Sequence, residues 1–387
     1  MQRASALGPL GILGGGQLGR MTAEAASRLG VDVVVAERFQ RSPAARIAAH
    51  EVVFPGATWD DDDAIERFAD LAPVVTLENE FVDAGVLRKI EARGSRVWPG
   101  PTSVGTVQDK LRQKHALAQA GLPVPPFRRV EEPGDLLHLA GELGWPLMLK
   151  ARRDGYDGSG NVLVANDAGS VEACRKLGWP ERTLYVERQV RFLRELAVIV
   201  VRGRDGQSVV YPVVETRQDP LLHVCRMVLA PAPVDPVIAR EAARVAKAAI
   251  EAMDGVGAWG VELFLLEDGS LSVNELAPRP HNSGHYSIEG CVTSQFENHV
   301  RAVLGLPLGE PTLVAPAVGM VNLLGQGAPC VSTGGLERAL RIPGAHVHLY
   351  GKHESRPGRK MGHVTATGQS LEDAMDRAQR AANALPI

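Results

Sequence analysis

The chain is short of cysteine, of net charge and of long apolar runs, and each shortage removes a class of protein. Cys174, Cys225, Cys291 and Cys330 are its only cysteines in 387 residues, and no two have CxxC spacing. A disulfide framework or a structural zinc site is not expected, and four small thiols in a reducing cytoplasm are. The formal net charge is -3 and the pI about 6.4. No broad basic surface follows, so nucleic acid is not an expected partner, although the basic run from Arg356 to Lys360 suits a small phosphate. The longest apolar runs, such as Leu196 to Val201, have strand length and fall far short of the ~20 residues of a membrane helix. The glycine-broken stretch Gly8 to Gly16 lacks the continuous apolar core of a signal peptide. Internal repeats and low-complexity segments are absent as well. A soluble, cytoplasmic protein is expected.

What is present is an ordinary globular balance, 45% hydrophobic and 22% charged, with 41 Gly and 26 Pro. The length suits two or three domains of about 100–200 residues each. Residues 8–98 alternate strands and helices. Pro9 to Leu13 reads as a strand, Gly14 to Gly16 as a turn, and Gln17 to Leu29 as a helix closed by Gly30. The apolar runs Val31 to Ala36 and Pro73 to Leu77 read as buried parallel strands. A doubly wound α/β domain is predicted, ending near residue 108. A helix from Asp109 to about Ala120 then leads through the extended connector Leu122 to Pro126. Residues 127–300 change to hairpins with helices, an α+β pattern. Its longest helix opens at Asp235-Pro236, an N-cap followed by proline at the first helical position. A smaller region, 301–387, carries the basic loop and a final amphipathic helix, Leu371 to Leu385.

The stretch Trp259 to Glu275 bears the most specific signal. Two strand-like runs flank Glu267-Asp268-Gly269-Ser270, and Asp-Gly is a strong two-residue hairpin signal. With Asp268-Gly269 as the turn, Leu266 faces Leu271 and Glu262 faces Glu275. Directly opposed Cβ atoms lie roughly 4.5–5.5 Å apart. Two carboxylates that close repel unless a cation sits between them, and magnesium takes such carboxylates together with phosphate oxygens. Solvated glutamates at an open strand end are the bland alternative. The polar segment that follows, Leu276 to His285, concentrates Arg, His, Asn and Ser without apolar periodicity, as a functional loop does.

Two glycine loops stand upstream. Asp154-Gly-Tyr-Asp-Gly-Ser-Gly-Asn161 follows the strand ending in Lys150 and reads either as a phosphate lid or as a glycine-rich hairpin turn. It lacks P-loop spacing. Gly14, Gly16 and Gly19 fit GxGxxG, with Glu37 about 20 residues on. That pattern serves either a dinucleotide or the phosphate of another substrate at a helix N-terminus.

Lys150, the 155–161 loop, Glu187, Glu195, Glu262 and Asn274-Glu275 together resemble the ATP-grasp superfamily. Within it, Gly14 to Arg20, Asn274 to His285 and Arg356 to His363 resemble the N5-carboxyaminoimidazole ribonucleotide synthases, ATP-dependent carboxylases of purine biosynthesis. The resemblance spans nearly the whole chain. It implies a Rossmann-like N-terminal domain (1–108), an ATP-grasp domain (109–300) and a small C-terminal domain (301–387), in a homodimer. It implies ATP and Mg²⁺ as cofactors. ATP phosphates would meet Lys110, Lys150 and the loop of Gly155, Tyr156, Asp157, Gly158, Ser159, Gly160 and Asn161. Glu187, Arg188, Gln189 and Val190 would meet adenine, Glu195 the ribose, and Arg217 the nucleotide. Glu262 and Glu275 would hold Mg²⁺, with Asn274 beside them.

By the same resemblance, 5-aminoimidazole ribonucleotide would lie against Gln17, Leu18, Glu78 and Tyr156, with Lys352 and Arg359 clamping its phosphate. Arg279, His281, Asn282 and Ser283 would line the bicarbonate and γ-phosphate region. Ser159 departs from the basic residue usual at its position, and Arg217 stands where histidine is frequent. Glu78 and Glu80 are both candidate acids. The implied reaction phosphorylates bicarbonate to carboxyphosphate, whose carbon, or CO₂ released from it, is attacked by the substrate's exocyclic amine. Asp157 is either the acceptor of the amine proton or a carboxylate that only caps backbone N–H groups. The rival classes are another ATP-grasp ligase and an NAD oxidoreductase built on the 14–19 loop.

Overall fold

A computed structural model describes residues 7–155, 160–327 and 331–387. The N-terminal region runs β1 (Leu10–Leu13), α1 (Gln17–Arg28), β2 (Val33–Glu37), β3 (His50–Val53), α2 (Asp62–Leu71), β4 (Val74–Leu77), α3 (Ala84–Ala92) and β5 (Arg96–Val97). Its strands pair in parallel in the order β3-β2-β1-β4-β5. Every residue of β1, β2 and β4 is buried, which is why they read as unbroken apolar runs. Gly30, at φ +70°, closes α1 as expected of a glycine just past a helix end.

Helices α4 (Pro101–Gln108) and α5 (Lys110–Gln119) form the bridge to the centre. Asp109 caps α5 by accepting from the backbone N–H groups of Leu111 and Arg112. The central region starts with β6 (Phe127–Val130), α6 (Asp135–Leu143), β7 (Leu147–Ala151), β8 (Asn161–Val164), α7 (Ser170–Lys176) and β9 (Leu184–Arg188). These strands make a small antiparallel sheet, β6-β9-β7-β8.

A larger sheet follows from β10 (Phe192–Arg202), β11 (Ser208–Val210), β12 (Val214–Gln218), β13 (Cys225–Ala230), α8 (Pro236–Ala252), β14 (Gly257–Leu266) and β15 (Leu271–Ala277). The Asp235 side chain caps α8 at Val237 N, with Pro236 in the first turn. Ala242, Val245, Ala249 and Ile250 of α8 pack in one core with Val198 and Val200 of β10 and Trp259, Val261 and Leu263 of β14. Fully buried side chains of this size contribute about 1.5–3 kcal/mol each. That rigid face is what holds the opposite face of the sheet, where the site lies.

The chain ends with α9 (Ser287–Gly290), α10 (Gln295–Leu304), β16 (Ala317–Leu324), α11 (Thr333–Leu340), β17 (Ala345–Leu349), β18 (Lys360–Gly368) and α12 (Leu371–Asn383). These last strands join the large sheet: β13 pairs with β16, β16 with β18, and β18 with β17. Residues beyond 300 therefore extend the central sheet. Helix α10 packs in the core of the N-terminal region through Phe296, Val300 and Val303, beside Leu18 and Met21 of α1. The three regions are thereby fastened around one cleft. No helix among the described residues is long and apolar enough to cross a membrane.

Candidate active site

The cleft is a cavity of about 1350 Å³ between the two central sheets, lined at one end by Gln17 and Leu18 and by the 352–360 loop. The β14–β15 hairpin forms its floor. Glu262 faces Glu275 across this hairpin, though not by the route that a two-residue turn predicts. The turn holds three residues: Gly269 N donates to Leu266 O at 3.1 Å, Leu266 N to Ser270 O at 2.9 Å, and Gly269 has φ +82°. Leu265, not Leu266, therefore pairs with Leu271. A bulge then leaves Asn274 without a cross-strand partner between the Glu262–Glu275 and Leu263–Val273 pairs, and restores the expected register. The bulge also turns Asn274 toward the acids, where its Nδ2 donates to Glu262 Oε2 at 3.1 Å.

The two carboxylates have opposite electrostatic settings. Burial and the nearby Glu275 and Glu195 charges raise the Glu262 pKa. Burial also works against the charge on Glu275, but an ion pair with Lys110 outweighs it and holds that carboxyl below its ordinary value. Lys110 is aimed by the start of α5, where its backbone N–H donates to Arg152 O at 2.8 Å and Arg152 grips Asp109 at 3.1 and 2.5 Å. Two opposed carboxylates and an adjacent amide form an oxygen-rich donor set that Lys110 neutralises only in part. That set fits a hard divalent cation whose remaining ligands come from phosphate and water.

On the small sheet, Glu187 lies between two ammonium groups, 2.8 Å from Lys150 Nζ and 3.1 Å from Lys114 Nζ. Burial opposes its charge, yet the two lysines hold the carboxyl down to about 2. Beyond them the cavity wall turns apolar, with Met148, Leu163, Val190, Phe192 and Phe264. Leu163 and Phe192 remain 49% and 42% exposed there, and Phe192 stacks on Phe264 at 4.5 Å. An apolar slot beside paired lysines suits a planar base followed by phosphates. Glu195 sits at the slot's edge, its Oε2 accepting from Gln218 Nε2 at 2.6 Å.

At the opposite end, the first glycine loop wraps carboxylates. Gly15 N donates to Glu37 Oε2 at 2.9 Å and Leu18 N to Glu78 Oε1 at 3.3 Å. A Cβ on Gly16 would lie 2.2 Å from Glu78 Oε1, and one on Gly14 2.7 Å from Glu78 Oε2. The loop's glycines thus make room for Glu78, and two amides that a dinucleotide pyrophosphate would use are already donated to acids. Burial raises the Glu78 pKa. Glu80 instead forms a two-pronged pair with Arg279, at 2.9 Å for Nη2–Oε1, which separates the two candidate acids.

Beyond the Arg279–Glu80 ion pair, the 279–285 loop is held by neutral groups. His281 approaches β14 so closely that a Cβ on Gly260 would lie 2.5 Å from its own Cβ. Its Nδ1 lies 2.9 Å from Ser283 Oγ, and Gln295 brackets its backbone at 3.0 and 2.8 Å. Burial, with Arg279 and Lys360 nearby, lowers its pKa to about 3, so the imidazole beside Glu262 is neutral. Asn282 and Asn322 exchange amide hydrogen bonds at 2.9 and 2.7 Å, tying this loop to β16. Lys352 donates to Lys360 O at 2.8 Å and Arg359 to Glu354 O at 2.8 Å, so both basic side chains are set by their own loop.

Gln17, Leu18, Glu78, Lys110, Lys150, Gly155, Asn161, Glu187, Arg188, Gln189, Val190, Glu195, Glu262, Asn274, Glu275, Arg279, His281, Asn282, Ser283, Lys352 and Arg359 all line this one cavity. Tyr156, Asp157, Gly158 and Ser159 lie outside the described residues. Gly160 stands behind the lining, its carbonyl accepting from Ala151 N at 2.9 Å. Arg217 does not belong with the others. Strand alternation gives Thr216 and Gln218 to the cavity and sends Arg217 to the other face, where it pairs with Glu215 at 2.7 Å. Sequence reasoning missed Gln218, the aromatic pair Phe192–Phe264 and Lys114.

Three family models match the chain: a ribonucleotide synthetase preATP-grasp domain over residues 7–108, an ATP-grasp domain over 115–296, and a phosphoribosylaminoimidazole carboxylase C-terminal domain over 318–377. The chain is 40% identical over 373 residues to N5-carboxyaminoimidazole ribonucleotide synthase of Synechococcus elongatus, covering 96% of this chain and 92% of that one. It is 41% identical over 367 residues to the chloroplastic phosphoribosylaminoimidazole carboxylase of Vigna aconitifolia, covering 94% of this chain. It spans 64% of the length of that plant relative and about two thirds of the yeast ones. Among solved structures, the Aspergillus clavatus N5-carboxyaminoimidazole synthase in complex with ADP and 5-aminoimidazole ribonucleotide superposes with a TM-score of 0.88 at 39% identity, covering 97% of this chain and 98% of that one.

Proposed function

The chain belongs to the N5-carboxyaminoimidazole ribonucleotide synthase family of ATP-grasp ligases, and from that premise we propose that it uses ATP and bicarbonate to carboxylate the exocyclic amine of 5-aminoimidazole ribonucleotide in purine biosynthesis. The observation that carries this reading is the single cavity in which an opposed acid pair, an apolar slot beside Lys150, and a basic loop facing Glu78 converge. The acid pair and the slot suit a metal nucleotide; the far end suits a phosphorylated second substrate.

In the proposed reaction, a bicarbonate oxygen takes the γ-phosphoryl group and ADP leaves. The amine then attacks the carboxyphosphate carbon, or CO₂ released from it; inorganic phosphate departs and the amine loses a proton. Lys110 and Lys150 lower the charge on the phosphates, and Arg279, clamped by Glu80, faces the transferred group. Mg²⁺, held when bound by Glu262 and Glu275, would neutralise charge developing on the transferring phosphoryl oxygens. Asp157 stands as the candidate acceptor of the amine proton. Lys352 and Arg359 hold the ribonucleotide phosphate, and Glu78 with Gln17 and Leu18 its other end. Exclusion of water protects the mixed anhydride from hydrolysis. In this reading the domains run 1–108, 109–300 and 301–387, and the enzyme works as a cytoplasmic homodimer, which light scattering on the purified protein tests.

The direct test is ADP formation from ATP and bicarbonate, with and without 5-aminoimidazole ribonucleotide. Strong stimulation by the ribonucleotide is expected. ADP formation that ignores it contradicts the assignment.

A further inference from the structure

We propose that Lys114 is a positioning residue of the nucleotide site: by sharing the Glu187 carboxylate with Lys150 it preserves one net positive charge for the phosphates. The inference rests on the nucleotide reading given above. Lys114 is 1% exposed and does not line the cavity, so it does not touch the nucleotide itself. Its Nζ donates to the carbonyl of Val273 at 3.0 Å and lies 3.1 Å from Glu187 Oε1. The other oxygen of Glu187 takes Lys150 at 2.8 Å. Val273 precedes the Asn274 bulge on the large sheet, whereas Glu187 and Lys150 belong to the small one. One buried ammonium therefore spans the bottom of the cleft.

The charge count gives this arrangement its purpose. Lys114, Glu187 and Lys150 sum to one positive charge. Without Lys114, Glu187 and Lys150 form a neutral pair, and Glu187 holds Lys150 with no competitor. Packing does not call for a lysine here, because its neighbours Leu117 and Val273 belong to an apolar core that methionine would extend. Burial lowers the Lys114 pKa to about 8 despite Glu187, so the position carries a desolvation cost that an apolar residue would avoid. Lys110, one turn earlier on α5, is aimed at Glu275. The same helix thus serves the acid pair with one lysine and the phosphate lysine with the next.

The test is calorimetric binding of Mg-ADP and of adenosine to the full chain and its variants. Lys114→Met is expected to weaken Mg-ADP by about 10-fold or more while leaving adenosine within about 3-fold. Lys114→Gln, which keeps a donor for Val273 O, is expected to do the same and decides the matter where the methionine variant does not fold. Adding Glu187→Gln to either variant removes the neutralising charge and is expected to tighten Mg-ADP relative to the single variant. Unchanged Mg-ADP affinity in the single variants overturns the proposal. So does a double variant that binds no tighter than the single one, or an equal loss of adenosine. A wild-type protein that does not bind Mg-ADP overturns the nucleotide reading itself, and this inference with it.

Discussion

The two ends of the cleft are built from different materials. At the nucleotide end, charged side chains from separate elements pair with one another: Lys110 with Glu275, and Lys114 and Lys150 with Glu187. Toward the ribonucleotide end, the 279–285 loop is held, apart from the Arg279–Glu80 ion pair, by neutral groups: the Asn282–Asn322 amide exchange, the His281–Ser283 hydrogen bond and the Gln295 bracket. They lie beside backbone that only glycine permits at Gly16 and Gly260. The contrast predicts where a substitution acts. Removing a charge at the nucleotide end changes what binds. Removing a hydrogen bond at the ribonucleotide end changes shape and stability first, because a buried neutral group left without its partner costs about 1–3 kcal/mol.

The sharpest break of that comparison is Glu275→Ala. Turnover is expected to fall by about 1000-fold or more, with the circular-dichroism spectrum unchanged, since a phosphoryl-transfer site without its metal ligand loses most of its charge stabilisation. Retained activity at low magnesium would remove Glu275 from that role. Next is Gly260→Ala, whose new methyl meets His281 at 2.5 Å from Cβ to Cβ. A loss of about 1–3 kcal/mol in urea unfolding is expected. An unchanged urea midpoint would erase the distinction between the ends. Asn322→Leu, which orphans the Asn282 amide, is expected to cost about 1–3 kcal/mol in the same assay.

Acid should reach the neutral end earlier. Burial lowers His281 and His299 to about 3, and His285 and His363 well below the usual imidazole range. These groups bind fewer protons folded than unfolded, so their stability contribution is complete above the unfolded value near 6.5. It is lost as pH falls from there toward 3, whereas Glu187 gives way only between about 4.5 and 2. Thermal unfolding followed from pH 7.5 to 4.5 is expected to show a steady fall in Tm that begins near 6.5; a flat profile contradicts it. The smallest effect belongs to Arg217→Ala. Its side chain lies on the far face of β12, and kcat/KM is expected to stay within about 2-fold of wild type.

Much of this could be read from residue order, and the failures have physical causes. Parallel strands announce themselves because both faces are buried, as in Val33–Glu37. The cap at Asp235 and the glycine at Gly30 act locally, so their chemistry is visible locally. The Glu262–Glu275 register came out through two compensating slips, a turn one residue longer than Asp-Gly suggests and a bulge at Asn274 that takes the residue back. Bulges leave no mark in an alternating pattern, so the pairing was legible and its route was not. Lys114 was invisible for another reason: its partner lies 73 positions away on a different sheet, and an isolated lysine on a helix usually faces water. The glycine loop looked like a dinucleotide cradle because its spacing reports a tight turn, and only tertiary structure reveals that Glu37 and Glu78 occupy it.

The central claim is that Glu262 and Glu275 hold a metal together with a nucleotide. The most direct measurement is calorimetric ADP affinity with and without Mg²⁺, for wild type and for Glu262→Gln/Glu275→Gln. Magnesium should tighten ADP binding to the wild type by about 10-fold or more and leave the double variant's affinity unchanged. The same magnesium enhancement in both proteins would contradict the account.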